Sequence, residues 1–217
     1  MNTCYIFCAL DCEISQLDRD ESDYVIAADA GFSQALKIGI KPDAVVGDFD
    51  SLKSIPECEN TAVYPVRKDD TDFLLAIKAG LEKGYKKFIV YGAVGARLDH
   101  TLGAVQGAAF AANRNASLIL ASEAFCITAI KNSSAVFNKK ASGIVSVFAL
   151  NGEACGVTIS GLSYNAENIT VKPDFPIGVS NEFTGEEAKI EVKNGILTVM
   201  WQGKPSDIIL SEDEEND

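Results

Sequence analysis

The sequence predicts an α/β fold in two parts: a mostly parallel sheet covered by helices on both faces, then a small antiparallel sandwich or barrel. Three observations carry this. Over the first ~120 residues, short apolar runs alternate with helical patterns, the signature of strand–helix–strand units. After about residue 122 no convincing helical period remains. The later strand-like runs are punctuated by turn signals such as Asn-Gly at 151–152 and 194–195.

The elements run in order. YIFCAL, YVIAADA, DAVVGD, TAVYPV, KKFIVYGAV and SLILAS are β-branched or aromatic-rich and end in or near Gly, Asp or Pro, so they read as strands. Phe32 to Ile38 reads as a short helix stopped by Gly39. Asp70 to Lys83 places Phe73, Leu74, Ile77 and Leu81 on one face and ends at Gly84. Asp99 to Ala112 is Ala-rich and suits close packing on a sheet. AFCITAI, SAVFNK, GIVSVFAL, GVTIS, KIEVKNG and ILTVMW supply the second part. The expected boundaries are 1–124, 125–210 and an acidic tail, 211–217, without fixed structure.

Charge narrows the function. The 217 residues hold 31 Asp+Glu against 19 Lys+Arg, a net charge of −12. With the bases scattered, no patch is available for a nucleic-acid backbone. No apolar run reaches the ~18 residues of a membrane helix, and the N-terminus has no positive region of a signal peptide. Six cysteines without a C-x2-C pair read as reduced, packed thiols, with Cys4 and Cys8 on one face of a strand. The expected compartment is the cytoplasm, and no membrane partner is expected.

In an open α/β sheet, ligands bind beyond the carboxyl ends of the strands. Four successive strand ends here carry polar, acidic or Gly-containing strings: Asp29-Ala30-Gly31, Gly47-Asp48-Phe49-Asp50-Ser51, Lys68-Asp69-Asp70-Thr71-Asp72 and Gly92 through His100. Asp48 and Asp50 converge if their stretch is extended, and convergent carboxylates suit a hard cation such as Mg²⁺, although a plain turn uses the same residues. Asp69, Asp70 and Asp72 exceed what helix capping needs. In GAVGARLDH, two glycines could admit phosphate near a helix start, and Arg97 offers a planar fork. This is neither a dinucleotide fingerprint nor a Walker A loop. Asp99 can bind substrate, move a proton or merely cap its helix, and the single His100 is by itself more often structural.

Together these strings resemble the thiamine pyrophosphokinase family. The resemblance runs through Asp29-Ala30-Gly31, Lys41 to Ser51, Lys68 to Asp72, Gly92 to His100, Ser160-Gly161-Leu162-Ser163-Tyr164 and Gly178-Val179-Ser180-Asn181-Glu182. P-D-x-x-x-G-D-x-D-S with the later G-x-R-x-D-H is the specific part. Ala93 departs from the Gly that many members have before G-x-R. The resemblance implies an N-terminal α/β nucleotide domain, a C-terminal β-sandwich, and a homodimer with thiamine near the subunit interface. It implies Mg-dependent transfer of the pyrophosphoryl group of ATP to the thiamine hydroxyl, releasing AMP. On that footing Asp48, Asp50 and Asp72 are the metal ligands, and Arg97 stabilises the migrating group. Asp29, Gly31, Lys68, Asp69, Thr71, Gly92, Gly95, His100 and Thr101 shape the ATP site. Asp99, Tyr164, Ser180 and Asn181 contact thiamine, with Tyr164 as an aromatic platform. Trp201 is expected in the core or a dimer contact.

Three other readings use the same residues. A pyrophosphokinase for another hydroxymethyl acceptor, such as a pterin, keeps the chemistry. A haloacid-dehalogenase-type phosphatase would use Asp48-Phe49-Asp50, but Leu52 stands where such enzymes usually have Thr or Val. A nucleotide sensor would bind without turnover.

Overall fold

The computed structural model describes residues 2–11, 14, 17, 19–47, 61–63, 70–95, 97–150 and 152–210. Asp48, Asp50, Lys68, Asp69 and the acidic tail lie outside the described residues. The strands fall into a large mixed sheet and a second, five-stranded antiparallel sheet. By contacts the chain divides into two compact units, Met1–Gly107 with Leu120–Glu123, and Ala108–Ile119 with Ala124–Asp217.

In chain order, the first unit contains β1 (Thr3–Phe7), β2 (Tyr24–Ala28), α1 (Gly31–Lys37), β3 (Ala44–Gly47), β4 (Thr61–Val63), α2 (Asp72–Glu82) and β5 (Lys87–Tyr91). It also holds the start of α3 (Leu98–Ala112). Its strands run in the order β5-β1-β2-β3-β4, every neighbouring pair parallel. Such strands are buried on both faces, and TCYIF and AVVG are buried throughout. Strand alternation sorts the helices. Ala35 of α1 packs with Tyr5 and Phe7. Gly80 of α2 lies over Cys4 and Phe88, which point the other way. The two helices therefore cover opposite faces, and α3 joins α2's face where Gly107 meets Phe73 and Ile77.

Two aspartates pin the amino ends of these strands. Asp23 accepts from the Thr3 amide at 2.6 Å and the Asp20 amide at 2.9 Å. Asp43, inside the string that carries the resemblance, accepts from the Val25 amide at 2.8 Å and from Arg19 at 3.3 Å. Both acids thus serve register rather than the opposite, carboxyl edge.

Thr71 caps α2, its hydroxyl accepting from the Leu74 amide at 3.2 Å. Removing that acceptor leaves an orphan helix amide to water. Thr71→Ala should lower the unfolding free energy by about 1 kcal/mol in urea titration, and an unchanged midpoint would refute the cap.

The second unit adds, after β6 (Ser117–Ala121), the strands β7 (Cys126–Lys131), β8 (Ser134–Phe137), β9 (Ile144–Phe148), β10 (Ala154–Ser160), β11 (Ala166–Val171), β12 (Asn181–Glu182), β13 (Ala188–Glu191), β14 (Ile196–Trp201) and β15 (Ile208–Leu210). One antiparallel layer has the order β12-β9-β14-β7 and the other β11-β10-β13-β8-β15. They meet through Phe137 of β8, whose ring lies 5.5 Å from that of Trp201 on β14. Trp201 is fully buried and its Nε1 donates to the Lys204 carbonyl at 3.3 Å, so it is a core residue. The Asn194-Gly195 turn does not close a hairpin: it passes the chain from β13 to β14, in the other layer. Asn194 is held there by paired backbone bonds to Cys155.

β1 stops at Phe7, and Cys8 lies just past it, its amide donating to the Tyr91 carbonyl at 2.8 Å. Burial pushes the Cys4 thiol up to about 12, which makes it inert packing. Cys4, Cys8, Cys126 and Cys155 are all free thiols.

Candidate active site

The parallel order brings the carboxyl ends of β1, β2, β3 and β5 side by side. After β2 the chain turns sharply at Asp29, whose φ is +47°. Its amide donates to the Val46 carbonyl at 2.8 Å, joining the ends of β2 and β3. Gly31 then starts α1 directly against the Phe7 carbonyl, where a Cβ would collide with backbone. After β5, Gly92 has φ +72°, and a Cβ there would strike the Leu10 and Cys8 carbonyls. Glycine at both positions is required for close approach of the strand-end loops. Gly47 closes β3, and Asp48 to Asp50 come next in the chain.

The loop after β1 belongs to this edge too, although none of its residues is among the expected site residues. Leu10's amide donates to the Gly92 carbonyl at 3.1 Å, and its side chain lies under Gly95. Gln34 of α1 donates to the Ala9 carbonyl at 3.0 Å, and Lys37 pairs with Asp11. The signal that could have found this loop is Asp11, an acid just beyond the YIFCAL run and so a fifth strand end of the same kind.

Of the acids opening α2, Asp70 is engaged by Lys78 at 2.6 Å. Asp72 occupies the first turn, where its charge complements the helix dipole. Among the described residues no group of three or more His, Cys, Asp or Glu could hold a metal ion. Two of the three expected ligands, Asp48 and Asp50, are outside that set. The donor chemistry of the three, carboxylate oxygens, fits a hard divalent cation.

Arg97 and Asp99 form a two-point pair: Nε donates to Oδ1 at 3.2 Å and Nη2 to Oδ2 at 2.6 Å. Both side chains are about two-thirds exposed, 64% and 66%. The Arg97 guanidinium, chiefly by its hydrogen bond, holds the Asp99 carboxyl below the usual range. Any stabilisation from a lowered carboxylate exists above its ordinary value and is lost as pH falls through the lowered one. An NMR titration of Asp99 should therefore move upward in Arg97→Ala, and an unmoved midpoint would show that the pair does not persist in solution. His100 is exposed, and Thr101 bonds back to the loop before α3 rather than outward.

In the second unit, Tyr164 and Asn181 are brought together. The Tyr164 amide donates to Asn181 Oδ1 at 2.9 Å, and Asn181 Nδ2 donates to the Tyr164 carbonyl at 2.7 Å. Tyr164's side chain is 72% exposed, so it is no core residue. It lines the rim of a cavity of about 410 Å³ whose walls include Val145, Leu162, Ile169 and Val179. Ser180 has φ +60° and donates its amide to Ser146 Oγ at 3.0 Å. It does not line the cavity.

A parallel sheet with glycine-gated loops and an exposed arginine–aspartate fork at its carboxyl edge defines the class: an α/β protein of the open-sheet kind, in which ligands generally bind beyond the strand ends. Comparison with known proteins narrows that class. The family model for the thiamin pyrophosphokinase catalytic domain matches residues 17–120, and that for the thiamin pyrophosphokinase vitamin B1 binding domain matches 135–197. Thiamine pyrophosphokinase of Bacillus subtilis is 26% identical over 191 residues, covering 83% of this chain and 88% of that protein. The crystal structure of the thiamine pyrophosphokinase from Bacillus subtilis superposes with a TM-score of 0.80 at 22% identity, covering 93% of this chain and 99% of the other. Thiamin pyrophosphokinase from Candida albicans gives 0.73 at 14% identity, over 93% and 89%. At these identities the solved structures speak for the fold alone. The chain belongs to the thiamin pyrophosphokinase family, whose members are ATP-dependent pyrophosphotransferases, and it is an enzyme.

Proposed function

We propose that the protein is a thiamine diphosphokinase, transferring the pyrophosphoryl group of ATP to the hydroxyl of thiamine and forming thiamine diphosphate and AMP. The observation that carries this is the match of both functional halves of the family along one chain, 17–120 and 135–197. On this reading residues 1–124 bind ATP and hold the catalytic groups, and 125–210 bind thiamine and form a homodimer. The protein works in the cytoplasm, in keeping with its free thiols. No helix among the described residues is long and apolar enough to cross a membrane.

The thiamine hydroxyl oxygen attacks the β-phosphorus while the bond to the oxygen bridging toward the α-phosphorus breaks. AMP leaves in line and the hydroxyl proton is lost. Such transfers need positioning and charge neutralisation more than covalent help from the protein. Asp48, Asp50 and Asp72 would hold Mg²⁺, directly or through water. When bound, the ion offsets phosphate charge that an acidic edge could not otherwise accept. Arg97 meets charge on the migrating group with its fork. Asp29, Gly31, Lys68, Asp69, Thr71, Gly92, Gly95 and His100 shape the ATP site; of these, Thr71 acts by starting α2. Asp99 receives thiamine's aminopyrimidine, while Tyr164, with Asn181 and Ser180, presents an aromatic face to a cationic ring.

Purified protein with ATP and thiamine should form equimolar thiamine diphosphate and AMP only when Mg²⁺ is present. AMP formed with a hydroxymethylpterin but not with thiamine would move the acceptor. Inorganic phosphate without AMP would point to a phosphatase.

A further inference from the structure

We propose that Thr101 is a positioning residue for Arg97, acting as a clasp across the loop between β5 and α3 rather than as a contact to ATP. The role rests on the pyrophosphotransfer reading above. Its hydroxyl makes two bonds at once: it accepts from the Gly95 amide at 3.1 Å and donates to the Arg97 carbonyl at 3.1 Å. A hydroxyl has one proton to give and lone pairs to receive, so both bonds are satisfied together. The Arg97 carbonyl also accepts the Thr101 amide at 3.0 Å, the first backbone bond of α3. One side chain thereby ties both Gly95 and Arg97 to the first turn of the helix.

The tie matters because the loop emerges from the core here: Ala93 and Val94 are buried, whereas Gly95 and Arg97 are exposed. Gly95 is open to solvent with φ +143°, a conformation that glycine adopts readily and that gives the chain little stiffness of its own. Arg97 is itself largely exposed, and the carboxylate it pairs with, Asp99, is a residue assigned to the other substrate. With the hydroxyl turned inward, Thr101 has spent its donor on the loop. The backbone from which the Arg97 fork projects is then set by the start of α3, a rigid element, rather than by a free loop. An arginine that meets a migrating phosphoryl group must be placed to a fraction of an ångström, since small displacements cost large factors in rate.

Thr101→Val keeps the branched shape and removes both bonds, and Thr101→Ser keeps both bonds and removes a methyl. Thr101→Val should lower kcat about tenfold or more, with the KM for thiamine and ATP moving less than about threefold, as expected for an interaction felt in the transition state. Thr101→Ser should recover kcat to within about twofold. In an Arg97→Lys background Thr101→Val should add less than about twofold, because its effect runs through the fork. Hydrogen exchange at the Gly95 amide, read by NMR, should quicken in Thr101→Val whatever the activity. A normal kcat in Thr101→Val overturns the proposal. So does Thr101→Ser failing as badly as Thr101→Val, or a rise confined to the KM for ATP, which is the signature of direct nucleotide contact. Absence of AMP formation by the unaltered chain sinks the functional reading instead, a failure that the Gly95 exchange keeps distinct from failure of the clasp.

Discussion

Asp72→Asn should reduce Mg²⁺-dependent turnover by about 10²–10³-fold while leaving the fold in place. Asparagine matches aspartate in size and keeps one carbonyl oxygen, but it lacks the charge that a hard cation bound to triphosphate needs. The position itself protects stability. Asp72 sits in the first turn of α2, and the cap of that helix is Thr71, whose bond to Leu74 the substitution does not touch. The substitution gives up a favourable charge at the positive end of the helix, worth about 0.3–1 kcal/mol. A melting curve close to that of the unaltered chain, with turnover nearly gone, is the expected pair of results. Asp50→Asn should behave alike. Full Mg²⁺-dependent activity in both variants would falsify the metal assignment.

Arg97→Lys should be nearly as damaging, with kcat lowered about 10²-fold. The guanidinium presents a flat pair of donors, as its two bonds to Asp99 display. An ammonium is a point charge that can satisfy only one oxygen at a time in that geometry. Because the side chain is 64% exposed, the substitution costs little in packing. Its effect should appear in steady-state kinetics and not in thermal unfolding. Activity within about twofold of the unaltered chain would show that charge alone is enough and that the fork has no special part.

The fold was legible where periodicity is strong. The runs at 24–28, 87–91, 117–121 and 196–201 are buried strands, and apolar stripes mark their faces. The three strands the pattern did not reveal, β11, β12 and β15, all lie at sheet edges. AENITV is exposed or half-exposed up to its last residue, and Ile209 of β15 is 70% exposed. An edge strand has a neighbour on one side only, so its side chains need not declare a buried face. The Asn194-Gly195 turn was visible as a turn, but which strand it led to was not. Residue type marks the turn, whereas the partner is chosen by packing of the two layers around Phe137 and Trp201.

The candidate site divides similarly. Asp29, Gly31, Gly92 and Gly95 stood out because such residues recur at successive strand ends, where an open α/β sheet takes its ligands. Leu10 and Gln34 did not, since nothing in their identity announces a tether, and Thr101 was expected to face ATP whereas its hydroxyl bonds to the loop. Asp43 and Asp48 sit five residues apart in one acidic string, and only the register shows that Asp43 serves the amino ends of the strands.

The sequence by itself determined the α/β class, the family and the kind of chemistry, because those depend on residue type and local spacing. The tertiary structure alone decided which loops converge, which acids are structural, and what holds Arg97. Those depend on parallel strand order and backbone approach, which join residues far apart along the chain and leave no local period to read.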